Sequence, residues 1–190
     1  PKQTIEVATR DGVCPVHFHR PDGDGRWPSV VLFLDASGIR PALHELAERL
    51  AGHGYVVVLP DLFYRGGRYE PQDPALLRAN PELREAHRER FVKTVTNNNL
   101  ISDMEALLVA MDASPHVRPG PIGVTGYCLG GRLSLVTAAT FPDRVAVAAS
   151  YHGGNLATDK PASPHLLVGA IKAKVYVAGA TDDPNFPDDM

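Results

Sequence analysis

The segment Gly123–Gly131 constrains the fold of this chain more than any other part of its sequence. A short β-type run, residues 121–125, leads into the pattern Gly-x-Cys-x-Gly-Gly, and a helix-type run, residues 132–140, follows it. A strand, a sharp turn flanked by glycines and a helix form the layout of a nucleophile elbow, whose central residue is held in a strained backbone conformation. The pattern therefore predicts that Cys128 stands at the edge of a sheet, where the N-terminus of a helix stabilises its thiolate.

The composition predicts one globular domain. The 190 residues are 44% hydrophobic and 22% charged, which is enough for one sizeable core and predicts a single domain over residues 1–190. The net charge of −3 argues against a nucleic-acid partner, and no apolar run approaches the length that crosses a membrane. Because the first residues lack the apolar segment of a signal peptide, we expect a cytoplasmic protein, either a monomer or a small homo-oligomer.

The two cysteines of the chain, Cys14 and Cys128, do not indicate a disulfide framework. Cys14 lies in a β-type run and is interpreted as buried core. A bond between the two would occupy the predicted nucleophile, so we expect both thiols to be free.

Alternating apolar and helical runs predict an α/β fold with a mostly parallel sheet and helices on both of its faces. The β-type runs are residues 4–8, 13–19, 29–34, 55–59, 121–125, 145–151 and 175–178. The helical runs are residues 41–51, 82–95, 99–111 and 132–140, with Asn99 or Ser102 as the cap of the third. Residues 62–81 and the segment before the last strand are predicted to be irregular.

Polar residues follow each of the predicted parallel strands. The runs Asp35–Arg40 and Asp61–Arg65 follow the first two, Cys128 follows the elbow strand, and His152 and Asp182–Asp183 follow the last two. Ligands of open α/β sheets bind at the carboxyl ends of the strands, so these residues are predicted to meet in one active site.

At these residues the sequence resembles the dienelactone hydrolase family, a cysteine branch of the α/β-hydrolase fold. The matching pieces are Gly126–Gly131, the run from Gly54 through Leu62, and Asp182-Asp183-Pro184 with Pro187. Their order and spacing extend the resemblance over most of the chain.

The resemblance implies a Cys-Asp-His triad in that chain order and the opening of lactone rings or other activated esters. Cys128 matches the nucleophile, and Asp183 matches the acid that orients the histidine, with Asp182 as the alternative. The oxyanion hole would consist of the backbone N–H groups of Leu129 and Ala36. No cofactor and no metal are implied.

The substrate implied is a small ester or lactone, and in family members that act on dienelactone it is an anion bound by arginines. Arg65 is the preferred candidate for that contact, whereas Arg84 and Arg88 fit a solvated helix face better. Tyr127 and His152 are expected to line the substrate site.

Two departures from the family pattern are visible in the sequence. None of the eight histidines follows Asp183, so we expect the triad histidine, one more strand and a final helix beyond Met190. Asp35 stands where the family has a glutamate that holds the resting thiol, and its side chain is one methylene shorter.

Other interpretations of the same residues remain open. The thiol of Cys128 could serve redox sensing, or the fold could be a binding module that has lost its base. His152 is a second candidate base, although its place before the acid breaks the usual chain order. His17 and His19 could form a metal pair, but a half-exposed strand face is favoured; Asp61 is expected to cap its loop.

Overall fold

A mostly parallel sheet forms the centre of the computed structural model, which describes residues 1–183. Its strands are β1 (Lys2–Thr9), β2 (Gly12–His19), β3 (Ser29–Phe33), β4 (Val56–Pro60), β5 (Ile122–Tyr127), β6 (Val145–Tyr151) and β7 (Lys174–Ala178). The order across the sheet is β1-β2-β4-β3-β5-β6-β7. The first two strands form an antiparallel hairpin, β2 pairs antiparallel with β4, and β3 to β7 run parallel. The predicted α/β class and the predicted strands are confirmed.

Five α-helices connect these strands within the described residues. They are α1 (Pro41–Gly52), α2 (Pro74–Ala79), α3 (Pro81–Arg90), α4 (Asn97–Ala113) and α5 (Leu129–Thr140). Short 3-10 helices cover Tyr64–Gly66, Val92–Thr94 and Pro164–Ala170.

The helix boundaries correct the sequence prediction in three places. The segment predicted to be irregular contains α2, which begins at a proline and is capped by the Asp73 carboxylate accepting from the Ala75 N–H. Helix α3 ends at Arg90 rather than extending to Val95. Helix α4 begins before Asn99, because the hydroxyl of Thr96 caps it.

The central strands are covered on both faces. Val57 and Val58 point to opposite sides of β4, and both side chains are completely buried. Helix α1 packs on β4, while α5 packs on β3, β5 and β6. These contacts place the carboxyl ends of β3, β4, β5 and β6 along one edge of the sheet, next to the start of α5.

The outer strand β7 is covered much less. Val175, Tyr176 and Val177 point alternately to the two faces, and they are 46%, 58% and 43% exposed. Within residues 1–183, therefore, both faces of β7 are only partly covered. In the same range, no helix has the length and apolar character needed to span a bilayer.

Candidate active site

Cys128 occupies a strained turn between β5 and α5. Its φ is 53° and its ψ is −114°, a conformation that a residue with a side chain rarely adopts. The turn needs glycine around it: a Cβ on Gly126 would lie 2.5 Å from the carbonyl carbon of Gly130. A Cβ on Gly131 would lie 2.6 Å from the Oγ of Ser150. The predicted elbow is thus the geometry observed.

The sulfur of Cys128 lies in a site where opposing influences act on its pKa. Burial raises the pKa, and the negative charges of Asp35 and Asp183 raise it further, whereas hydrogen bonds from the backbone N–H groups of Leu129 and Ala36 lower it. Burial is the largest of these, so the pKa of the thiol lies above its usual value. The stabilisation predicted from the helix N-terminus is therefore outweighed by burial, and a raised pKa agrees with the expectation that a histidine removes the thiol proton.

The two backbone N–H groups that lower the pKa of the Cys128 thiol are those predicted for the oxyanion hole. Leu129 is the first residue of α5, where the backbone N–H groups have no partner inside the helix. Ala36 belongs to the loop after β3. An oxygen that develops negative charge beside the sulfur would therefore meet two donors, although their role in catalysis stays a prediction.

Asp183 is close enough to Cys128 for its charge to raise the pKa of the thiol. The charge of the predicted acid thus acts on the thiol, and its role in orienting a histidine stays a prediction. Asp182 has a φ of 58° and is exposed. Pro184 and Pro187, which contributed to the resemblance, lie outside the described residues.

The loop Asp35–Arg40 is braced by its own charges. The Arg40 guanidinium donates to both carboxylate oxygens of Asp35, each at 2.7 Å, and the Ser37 N–H donates to Asp35 Oδ1 at 2.9 Å. The Gly38 N–H closes the turn on the carbonyl of Asp35 at 3.1 Å. Orientation of the thiol by Asp35 stays a prediction, and the structure adds Arg40 as the partner of that carboxylate.

Two residues from neighbouring segments, His87 and Tyr69, hold the loop by hydrogen bonds. His87 Nε2 lies 2.9 Å from the carbonyl oxygen of Ala36. The hydroxyl of Tyr69 accepts from the Ile39 N–H at 2.9 Å and donates to the Asp61 carboxylate at 3.1 Å. The prediction that Asp61 caps its loop agrees with these contacts, since it also accepts from the Phe63 N–H.

Arg40, Tyr69 and His87 were not identified from the sequence. The only signal for Arg40 was an opposite charge five residues after Asp35. His87 gave none, because it lies 51 residues from Ala36 in a helix whose other residues are mostly charged.

Tyr127 and His152 lie beside the elbow, where they were predicted to contact substrate. The Tyr127 ring stacks on Tyr151 with centroids 4.9 Å apart, and the His152 ring lies 5.9 Å from it. His152 also has a positive φ of 38°. Both side chains are half-buried, and their contact with substrate stays a prediction.

Arg65 does not have a free guanidinium for a substrate. Its nitrogens donate to Asp103 at 2.7 and 2.8 Å and to Asp11 at 2.7 and 2.9 Å. Because two carboxylates already hold it, we correct the expectation that Arg65 binds the negative charge of a substrate. Arg84 and Arg88 are exposed on α3, and Arg88 pairs with Glu85.

His17 and His19 form a cluster with a third histidine rather than a half-exposed strand face. His19 is 1% exposed and its Nε2 lies 3.1 Å from His44 Nδ1, while the His17 and His44 rings are 4.9 Å apart. Among residues 1–183, no group of three or more histidines, cysteines and carboxylates has an arrangement that could hold a metal ion.

A parallel sheet with a cysteine at its strand-to-helix elbow defines a protein of the α/β-hydrolase class. The sequence profile of the dienelactone hydrolase family matches residues 15–190. The chain is 30% identical over 187 residues to a carboxymethylenebutenolidase of Rhodococcus opacus, with 95% of this chain and 63% of the relative covered. The chain therefore belongs to the dienelactone hydrolase family, which is a family of hydrolases.

Further similarities agree with that assignment. A carboxymethylenebutenolidase of Pseudomonas sp. strain P51 is 33% identical over 115 residues, which cover 60% of this chain and 46% of the relative. A solved structure of a Klebsiella pneumoniae protein described as a dienelactone hydrolase superimposes with a TM-score of 0.82 at 22% identity, covering all of this chain and 76% of the other. The chain spans between 60% and 71% of the length of four curated relatives.

Proposed function

We propose that this protein hydrolyses lactones or activated esters through the thiolate of Cys128. The observation that carries the proposal is Cys128 at the strained elbow at the start of α5, and the backbone N–H groups of Leu129 and Ala36, which lower the pKa of its thiol, support it. That arrangement supplies a nucleophile and two oxyanion donors at one point, as acyl transfer requires. A relative named carboxymethylenebutenolidase, whose name denotes a butenolide lactone, supports the substrate class.

The reaction proposed begins with removal of the thiol proton by a histidine. We propose that this histidine follows residue 190 and is oriented by Asp183, as the family resemblance predicts. The thiolate attacks the carbonyl carbon, and the resulting oxyanion accepts hydrogen bonds from Leu129 and Ala36. Collapse breaks the bond to the ring or alcohol oxygen, which takes the proton from the histidine. A water molecule, deprotonated by the same base, then attacks the thioester and releases the carboxylic acid and Cys128.

The thiol also restricts the substrates that this reaction can use. A thiolate is a good leaving group, so a tetrahedral intermediate returns to the starting ester unless the other oxygen departs at least as readily. Enol oxygens meet that condition and amide nitrogens do not. We therefore propose enol-type lactones or aryl esters as the substrate class.

Substitution of the nucleophile tests the proposal. Cys128→Ala should reduce hydrolysis of an enol lactone or a p-nitrophenyl ester by about 10⁴-fold or more, because no covalent intermediate can form. Cys14→Ala is the matched control, since that thiol is 2% exposed, and it should keep the wild-type rate. An acid-quenched reaction should contain an acyl group on the peptide with Cys128, detected by mass spectrometry. Hydrolysis that persists in Cys128→Ala would assign the chemistry to another residue.

The redox alternative receives less support from the site. Cysteines that sense peroxide react as thiolates and have depressed pKa values. Burial raises the pKa of Cys128 instead. A thiol that becomes reactive only with an assisting base fits a hydrolase better than a sensor.

A further inference from the structure

The oxyanion donor Ala36 belongs to a loop rather than to a helix or strand, so its direction depends on what holds the loop. Leu129 needs no such support because it is part of α5. A donor helps catalysis only if its N–H already points at the developing charge before the reaction begins. The hydrogen bonds of the two peptide groups that flank Ala36 therefore determine the direction of its N–H.

The first of these peptide groups joins Asp35 to Ala36. Its carbonyl accepts from the Gly38 N–H at 3.1 Å. Because the C=O and N–H of a trans peptide point in opposite directions, the N–H of Ala36 points away from Gly38. This N–H is also one of the two backbone groups that lower the pKa of the Cys128 thiol.

The second peptide group joins Ala36 to Ser37, and it is held at both ends. Its N–H donates to Asp35 Oδ1 at 2.9 Å, and its carbonyl lies 2.9 Å from His87 Nε2. A carbonyl oxygen can only accept, so Nε2 carries the hydrogen and the tautomer of His87 is fixed. With both flanking peptides held, Ala36 cannot rotate its N–H away from the sulfur without breaking a hydrogen bond.

The imidazole of His87 is itself well supported. The residue is 8% exposed, and its ring packs against Phe91 and Phe63 with centroids 5.1 and 5.7 Å away. The loop is held again three residues after Ala36, where the Tyr69 hydroxyl accepts from the Ile39 N–H. The polar atom of this buried ring is thus directed at one carbonyl of the oxyanion loop.

We propose that His87 is a positioning residue for the oxyanion site, acting through the Ala36 carbonyl on the N–H that faces Cys128. This inference rests on the proposed hydrolase function, but it also predicts a change in the pKa of the Cys128 thiol that can be measured without substrate. The N–H of Ala36 lowers the pKa of Cys128, so loss of His87 must disturb the thiol even when no substrate is present.

Three variants of the full chain test the inference. His87→Leu removes the donor, His87→Gln keeps an N–H donor, and Leu77→Ala shortens a buried side chain on α2 as the control for general loss of stability. For each, kcat and KM are measured with an aryl ester. The rate of alkylation of Cys128 by iodoacetamide is measured against pH by peptide mass spectrometry, and thermal unfolding confirms that each variant is folded.

His87→Leu should lower kcat by about 10-fold or more with KM changed by less than about twofold, because the loosened donor stabilises the oxyanion of the transition state and does not bind the ground-state substrate. The pH midpoint of Cys128 alkylation should rise in this variant. His87→Gln should recover most of both properties, and Leu77→Ala should keep the wild-type midpoint.

An unchanged midpoint in His87→Leu, or an equal loss of kcat in Leu77→Ala, would overturn the inference and leave His87 as core packing. If the wild-type chain hydrolyses no ester, the proposed function fails, and the alkylation midpoints of the same variants still decide whether His87 positions Ala36.

Discussion

At the elbow, neighbouring backbone atoms leave no room for a side chain at Gly126 and Gly130. A Cβ on Gly130 would lie 2.7 Å from the carbonyl oxygen of Phe33, and one on Gly126 would lie 2.5 Å from the backbone of Gly130. Neither neighbour is a side chain that could rotate aside, so an added methyl group would push α5 away from β3 and β5. Close approach of these three elements is what places the sulfur next to Ala36.

Gly126→Ala should therefore lower the free energy of unfolding by about 3 kcal/mol, as expected for an overpacked core. Gly52→Ala is the matched control, because a Cβ there meets nothing within 4 Å and the residue ends α1. That variant should gain about 0.5 kcal/mol. Urea unfolding of both proteins measures the difference, and equal effects would show that crowding at the elbow is not what requires glycine.

At the scale of elements, three histidines join the β1–β2 hairpin to α1. Burial, and to a smaller extent the nearby His44 and Lys2, lower the pKa of His17 and of His19 to about 4. Burial and Lys2 also lower the pKa of His44, which Glu48 partly offsets. The native cluster is thus neutral at pH 7, and protonation would place positive charges side by side between the hairpin and the helix.

This cluster predicts that the protein loses stability in mild acid. In the unfolded chain these histidines take up protons near pH 6.5, whereas in the folded chain His17 and His19 do so near pH 4. The unfolded state therefore binds more protons between those values, and the free energy of unfolding falls as the pH is lowered from about 6.5 to about 4.

His44→Gln should make that dependence shallower, because it removes one titrating group and its repulsion of the other two. His53→Gln, which removes an exposed histidine from the end of the same helical segment, is the control. Denaturant unfolding at several pH values measures the slope. The same slope in His44→Gln as in the wild type would contradict the prediction.

At the scale of the whole molecule, the sheet is not equally protected along its width. The centre has completely buried strands, whereas the apolar side chains of β7 remain 43% to 58% exposed within residues 1–183. Val147 on the adjacent β6 is also 49% exposed. An exposed apolar edge of this kind binds apolar dyes and favours association between chains.

Residues 1–190 expressed alone should therefore bind the dye ANS in the folded state and associate at raised concentration. Replacing Val175 and Val177 by lysine should reduce both effects, because a charged edge disfavours pairing with another strand. Fluorescence and light scattering measure them. Replacing the exposed Val109 of α4 by lysine is the control, and an equal reduction in that variant would mean that β7 is not responsible.

The parts of this molecule that were predictable from sequence are those encoded locally. Apolar runs identified the strands, and the glycines around Cys128 identified the elbow. Contacts between distant segments left no local pattern: His87 meets a loop 51 residues away, and Arg65 meets Asp103 38 residues away. The pKa of Cys128 was also unpredictable, since it depends on how far burial outweighs two hydrogen bonds.

The bidentate ion pair between Asp35 and Arg40 affects how strongly the loop repels or attracts charged molecules. A lone carboxylate near Cys128 would repel an incoming anion. Here the guanidinium of Arg40, five residues after Asp35 in the same loop, pairs with the carboxylate and compensates its charge. Viewed from the solvent, the two charges form a compact dipole whose field fades much faster with distance than that of either alone. The charge of Asp35, which raises the pKa of Cys128, is therefore compensated by Arg40 as seen by a negatively charged molecule that approaches from the solvent.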